Sequence, residues 1–185
     1  SRFTVAQLLA PDSYVSFQSA LQHHSLFDQG LSSVGSVALR RHAAMTVHGT
    51  TYAFVTTKVR FFFGFEEKGI DGRRVRVATA EKALLDLLQF KRTQAHVDLV
   101  LEILREQGHN LNTERLVEYA HALPQSVQQV TGYLLELAGQ SAMEGFAPAV
   151  EHTTGVAKLT PESSLYNHRW RLYTDPYFEQ QKASA

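Results

Sequence analysis

The chain has no cysteine, which excludes disulfides and thiolate metal sites. Proline is scarce, at five in 185 residues, and tryptophan occurs once. No run of about 18 apolar residues exists, so no segment reads as a membrane-spanning helix. The opening Ser1-Arg2-Phe3-Thr4 has no long apolar stretch and does not read as a signal peptide. A cytoplasmic location is the expectation. Net charge is absent too: 18 cations balance 18 acids, which argues against a generic nucleic-acid coat. What is present is 44% apolar against 19% charged residues, enough to build a core and too mixed for a disordered chain.

The charges are unevenly placed. Residues 1–76 hold nine cations and five acids, and the rest carries the opposite excess. Within that basic half, Arg40, Arg41, Lys58, Arg60, Arg73, Arg74 and Arg76 fall on or beside neighbouring predicted strands. Arginines at adjacent strand ends can pair with phosphates or carboxylates. The same pattern also serves as a solvated edge that discourages aggregation.

Catalytic signatures are thin. Nine histidines occur, but none forms His-x-x-x-His or His-Glu-x-x-His. His23 and His24 are adjacent on a predicted helix, about 100° apart, and cannot easily share one metal ion. There is no Gly-x-Ser-x-Gly elbow and no Gly-x-x-x-x-Gly-Lys phosphate loop. Glu66-Glu67-Lys68, with Asp71 nearby, resembles a fragment of a nuclease's carboxylate set, and it reads instead as a charged turn. No catalytic residue, metal ligand or cofactor is assigned. A nuclease-like nucleic-acid-processing enzyme stands as the alternative.

Periodicity predicts an α+β fold. Residues 3–10 and 16–26 read as helices. Strands are expected around Val34–Leu39, Ala44–His48 and Tyr52–Thr57, then at Phe61–Phe63 and Arg74–Val77, with turns at His48-Gly49 and Asp71-Gly72. The phenylalanines are expected in the core. These short connections predict a mainly antiparallel sheet of about four to five strands with flanking helices, followed by a helical half. Helices are expected over about 79–91, 94–107, 112–123 and 127–138, with Gly108 and Gly139 as left-handed stops. Tyr166–Tyr173 reads as a half-buried strand with Trp170 on one face. The expected organisation is 1–92, an α+β domain; 93–150, a helical subdomain; and 151–185, a loop with a C-terminal strand.

One segment says more than its periodicity. Val75-Arg76-Val77 alternates as a strand and Thr79 is a helix N-cap. Ala80, Ala83, Leu84, Leu87 and Leu88 then form one apolar stripe. Lys82 and Asp86, four apart, are expected to pair on the solvated side of that helix. Three blocks occur in order: Ser13-Tyr14-Val15-Ser16-Phe17-Gln18-Ser19-Ala20-Leu21; Phe61-Phe62-Phe63-Gly64-Phe65; and Ala80-Glu81-Lys82-Ala83-Leu84-Leu85-Asp86-Leu87. Over roughly residues 13–92 they resemble the C-terminal domain of AbiEi-type antitoxins of bacterial type IV toxin–antitoxin systems. Ala80 stands where that pattern usually has proline. The motif positions are Ser16, Ser19, Ala20, Leu21, Phe63, Gly64, Glu81, Lys82, Leu84 and Asp86. The resemblance implies an antitoxin and transcriptional regulator that counters a nucleotidyltransferase toxin without a stable complex. Its implied nucleic-acid partner is operator DNA or the toxin's target RNA, and no membrane is implied. The winged helix-turn-helix usual in the family has no counterpart in the twelve residues before the first block.

Overall fold

The computed structural model describes residues 1–140, 145–146 and 155–184. It divides into two compact units, residues 1–86 and 87–185. The expected boundary near 150 and the start of the loop at 151 lie outside the described residues.

The first unit is a six-stranded mixed sheet with helices. Its elements are α1 (Arg2–Leu9), β1 (Ser13–Val15), α2 (Phe17–His23), β2 (Ser33–Ala38), β3 (Met45–Val47), β4 (Thr50–Thr56), β5 (Phe65–Ile70) and β6 (Arg73–Ala78). The strand order is β3-β4-β2-β1-β6-β5. The α+β class is as expected, but the sheet has more strands than foreseen and is not built of antiparallel neighbours alone. β2 pairs parallel with β4, and β1 parallel with β6. The reason is how the chain leaves β2. Residues 39–44 step two strand positions outward, β3 runs back along the edge, and β4 returns into the gap beside β2. Both hairpins behave as their turn residues dictate. His48-Gly49 and Asp71-Gly72 each have two positive φ angles, joining β3 to β4 and β5 to β6 through two-residue loops.

Three local expectations are corrected. β1 was not foreseen as a strand, yet all three of its residues are buried at the centre of the sheet. Phe61–Phe63 is not a strand. Its first residue closes a 3-10 turn, Val59–Phe61, within the segment that crosses from β4 to β5, and all three rings are half-buried rather than core. Glu66-Glu67-Lys68 is no turn but lies within β5, paired against β6.

A helix, α3 (Ala80–Phe90), follows β6, capped by the Thr79 hydroxyl, which accepts from the Lys82 amide. The predicted stripe of Ala83, Leu84, Leu87 and Leu88 is buried. So are Glu81, Lys82, Leu85 and Asp86, so the helix has no solvated side from 81 to 88.

The second unit contains α4 (Gln94–Gln107), α5 (Thr113–His121), α6 (Gln125–Leu137), and a small sheet of β7 (Ala157–Lys158), β8 (Leu165–Asn167) and β9 (Leu172–Thr174), then α7 (Pro176–Glu179). Thr93 and Asn112 cap α4 and α5 with their side chains. Val127, Val130, Leu134 and Leu137 form the buried face of α6, as predicted. Gly139 takes φ +78 at the end of α6, but Gly108 is right-handed at φ −56 and opens a 3-10 turn, so it is not the left-handed stop expected. Tyr166–Tyr173 is likewise not one strand. Residues 168–171 turn the chain between β8 and β9, with Arg171 at φ +50. The turn swings Trp170 out of strand alternation onto α6, where Gly132 leaves room for the indole and Glu136 accepts from Nε1. No described helix is long and apolar enough to cross a membrane.

Candidate functional site

The three sequence blocks meet around one buried ion pair in the first unit. Lys82 Nζ lies 2.8 Å from Asp86 Oδ1, with the two side chains 1% and 0% exposed. This corrects the expected solvated pair. A period-of-four spacing places both groups on one helix face but does not say what that face meets.

Each polar atom is matched. Lys82 Nζ donates to Asp86 Oδ1, to the Tyr14 hydroxyl at 2.7 Å and to the Phe61 carbonyl at 3.2 Å. An ammonium has three donors, and all three are used. The Tyr14 hydroxyl in turn donates to Asp86 Oδ2 at 3.0 Å, and the Ser16 hydroxyl donates to the same oxygen at 2.6 Å. Burial, then the charge and hydrogen bond of Asp86, raise the Tyr14 pKa well above the ordinary phenol value, so the hydroxyl keeps its proton. Aromatic faces close the cluster. Nζ sits 4.8 Å from the Phe63 ring centre and 5.2 Å from that of Tyr14, and Phe62 and Phe65 pack on Tyr14.

Local backbone features fit around this cluster. Gly64 has φ +79, and a Cβ there would come within 2.8–3.0 Å of the Lys82 side-chain carbons. Two constraints, conformation and space, therefore select glycine. Ser16 stands at the N-cap of α2 but makes no side-chain cap bond, because its hydroxyl is committed to Asp86. Phe17 follows at φ +56, an uncommon backbone state for a side chain of that size, with its ring against Gly35. The cluster is tied together by hydrogen bonds at both charged groups. It fixes β1, the start of α2 and the crossing segment onto α3, joining positions about seventy residues apart.

Of the motif positions, Ser16, Phe63, Gly64, Lys82 and Asp86 belong to this cluster. Ser19, Ala20, Leu21, Glu81 and Leu84 are buried in the surrounding elements. Tyr14 was not singled out, although its hydroxyl bridges the pair. Its place beside Ser16 in the first block was the available signal.

Five of the seven basic residues lie along one end of the sheet. β2, β4 and β5 finish where β1 and β6 begin, so Arg40, Arg41, Lys58, Arg73 and Arg74 gather there. Asp12 is among them, accepting from the Arg40 amide at 2.8 Å and from His42 at 2.7 Å. Arg74 lies 3.5 Å from Glu67, both well exposed, a pair worth little in water. Arg60 covers the Phe61 ring. Arg76 is apart from the group: it is half-buried on β6 and donates to the Pro11 carbonyl.

The carboxylates of the nuclease alternative do not converge. Glu66 and Glu67 are consecutive in β5 and point to opposite faces, and Asp71 lies in the turn, roughly 16 Å along from Glu66. Glu66 pairs with Lys68 at 2.8 Å and Glu67 with Arg74. Among the described residues no group of three His, Asp or Glu is placed to hold a metal ion. Compared with known proteins, the chain matches no family model and no curated protein.

Proposed function

We propose that this chain is an antitoxin and regulatory domain of a type IV toxin–antitoxin pair, countering a nucleotidyltransferase toxin without a stable complex. The observation that supports this reading is the convergence of three blocks. Tyr14 and Ser16, Phe63 and Gly64, and Lys82 and Asp86 come from separate parts of the sequence and form one cluster. The resemblance to AbiEi-type antitoxins thus runs through residues that depend on one another physically. Nucleic acid, operator DNA or the toxin's RNA target, is contacted through Arg40, Arg41, Lys58, Arg73 and Arg74. No residue is assigned a catalytic role.

Co-expression with the nucleotidyltransferase encoded beside it is the direct test. Restored growth is expected, and failure of the folded wild-type chain to rescue any such toxin would overturn the reading. The nucleic-acid arm is tested by competition binding over a salt series. On duplex DNA the log–log slope drops by about 0.9 for each phosphate that the protein no longer neutralises, so Arg40→Ala/Arg41→Ala is expected to flatten it. An unchanged slope would leave the cluster as a solvated edge.

A further inference from the structure

The second unit holds a cavity of about 430 Å³, within the size range of small-ligand sites. One wall comes from the end of α3 and the start of α4, and the other from β7 and the residues after it. Three permanent cations, Lys91, Arg92 and Lys158, line it, and no carboxylate does. That composition runs against its surroundings, since residues 87–185 contain eight cations and eleven acids. Among the described residues neither Arg92 nor Lys158 has an ion-pair partner. Burial lowers the Arg92 pKa from its ordinary value, the mark of a guanidinium held partly out of water. Such a group keeps its charge and is stabilised by an anion.

The rest of the lining is of another kind. Phe90 and Pro161 are apolar. His96 is tied at Nδ1 to the Thr93 hydroxyl, 2.6 Å away. Burial, then the charge of Lys91, outweigh a backbone hydrogen bond to hold its pKa below the ordinary range, so at neutral pH it shapes the wall without adding charge. A phosphate ion alone would leave the apolar part of this space unfilled.

We propose that this cavity binds a nucleoside phosphate, with the phosphate held by Lys91, Arg92 and Lys158 and the base laid against Phe90 and Pro161. The inference is independent of the antitoxin reading. Isothermal titration of the full chain with ADP, GDP, adenosine and inorganic phosphate tests it. At least one nucleotide is expected to bind, and adenosine and phosphate more weakly. Removing one charge-assisted hydrogen bond should weaken binding about tenfold or more. Arg92→Gln and Lys158→Glu should each do so, whereas Arg169→Gln, on the β8–β9 turn, should not. Lys158 is exposed, so its variant keeps the fold and the comparison stands even if Arg92→Gln does not. The proposal is overturned if neither nucleotide binds at millimolar concentration, if Lys158→Glu binds like wild type, or if adenosine or phosphate binds as tightly as the nucleotides. Binding of a short oligoribonucleotide without binding of free nucleotide would overturn it as well.

Discussion

Replacing Lys82 by methionine keeps most of the side-chain volume and removes the charge that Asp86 faces. The carboxylate, 0% exposed, would be left with the Tyr14 and Ser16 hydroxyls alone. Breaking a buried ion pair from one side costs about 3–5 kcal/mol, because the remaining charge is uncompensated. Against a total stability on the order of 5–15 kcal/mol, that is a large share. Asp86→Leu should cost a similar amount, since it strands the ammonium and both hydroxyls. The double variant Lys82→Met/Asp86→Leu leaves no buried charge, only hydroxyls lacking a partner at roughly 1–3 kcal/mol each. It should therefore fall short of the sum of the singles by at least about 2 kcal/mol, the coupling expected within one network. Urea unfolding followed by far-UV circular dichroism measures this. The only tryptophan, Trp170, belongs to the second unit, so its fluorescence reports that unit separately. Tyr14→Phe supplies a milder comparison. Single variants that each cost less than about 1 kcal/mol, or a double equal to their sum, would refute the reasoning and return Lys82 to a solvated role.

Two further expectations concern backbone and pH. Gly64→Ala meets both a left-handed φ and Lys82 carbons, whereas Gly49→Ala meets the φ alone in open space; Gly49→Ala should cost roughly 1 kcal/mol and Gly64→Ala clearly more, and equal losses in urea melts would show that the space is not limiting. Asp12 is pushed up by burial and pulled down by the Arg40 amide and His42, which prevail, so its folded pKa lies below 3.8. A lowered carboxylate pKa contributes stability that is present above the unfolded value and is lost as pH falls through the folded one. Asp12→Asn should thus destabilise at pH 7, with the difference from wild type shrinking below pH 3.8; a deficit independent of pH would contradict the assignment.

Local order was largely legible in the sequence. His48-Gly49 and Asp71-Gly72 specify their hairpins because two consecutive positive φ angles favour those residue types. Thr79 and Asn112 mark helix starts through short-range hydrogen bonds, and the α6 stripe follows from helical period. Each of these signals is complete within a few residues of chain.

What the tertiary structure decided was the partner of each face. The three-residue β1 carries too little periodicity to announce itself, and it is a strand because β2 and β6 flank it. The parallel β2–β4 pairing depends on where the loop after β2 lands, which no local pattern encodes. The four-residue spacing of Lys82 and Asp86 is the same for a solvated pair and for a buried one. The difference lies in Tyr14, Ser16 and the Phe61 carbonyl, contributed by distant segments. Sequence spacing determines which residues can share a face, and long-range packing determines whether water or protein supplies their remaining hydrogen bonds.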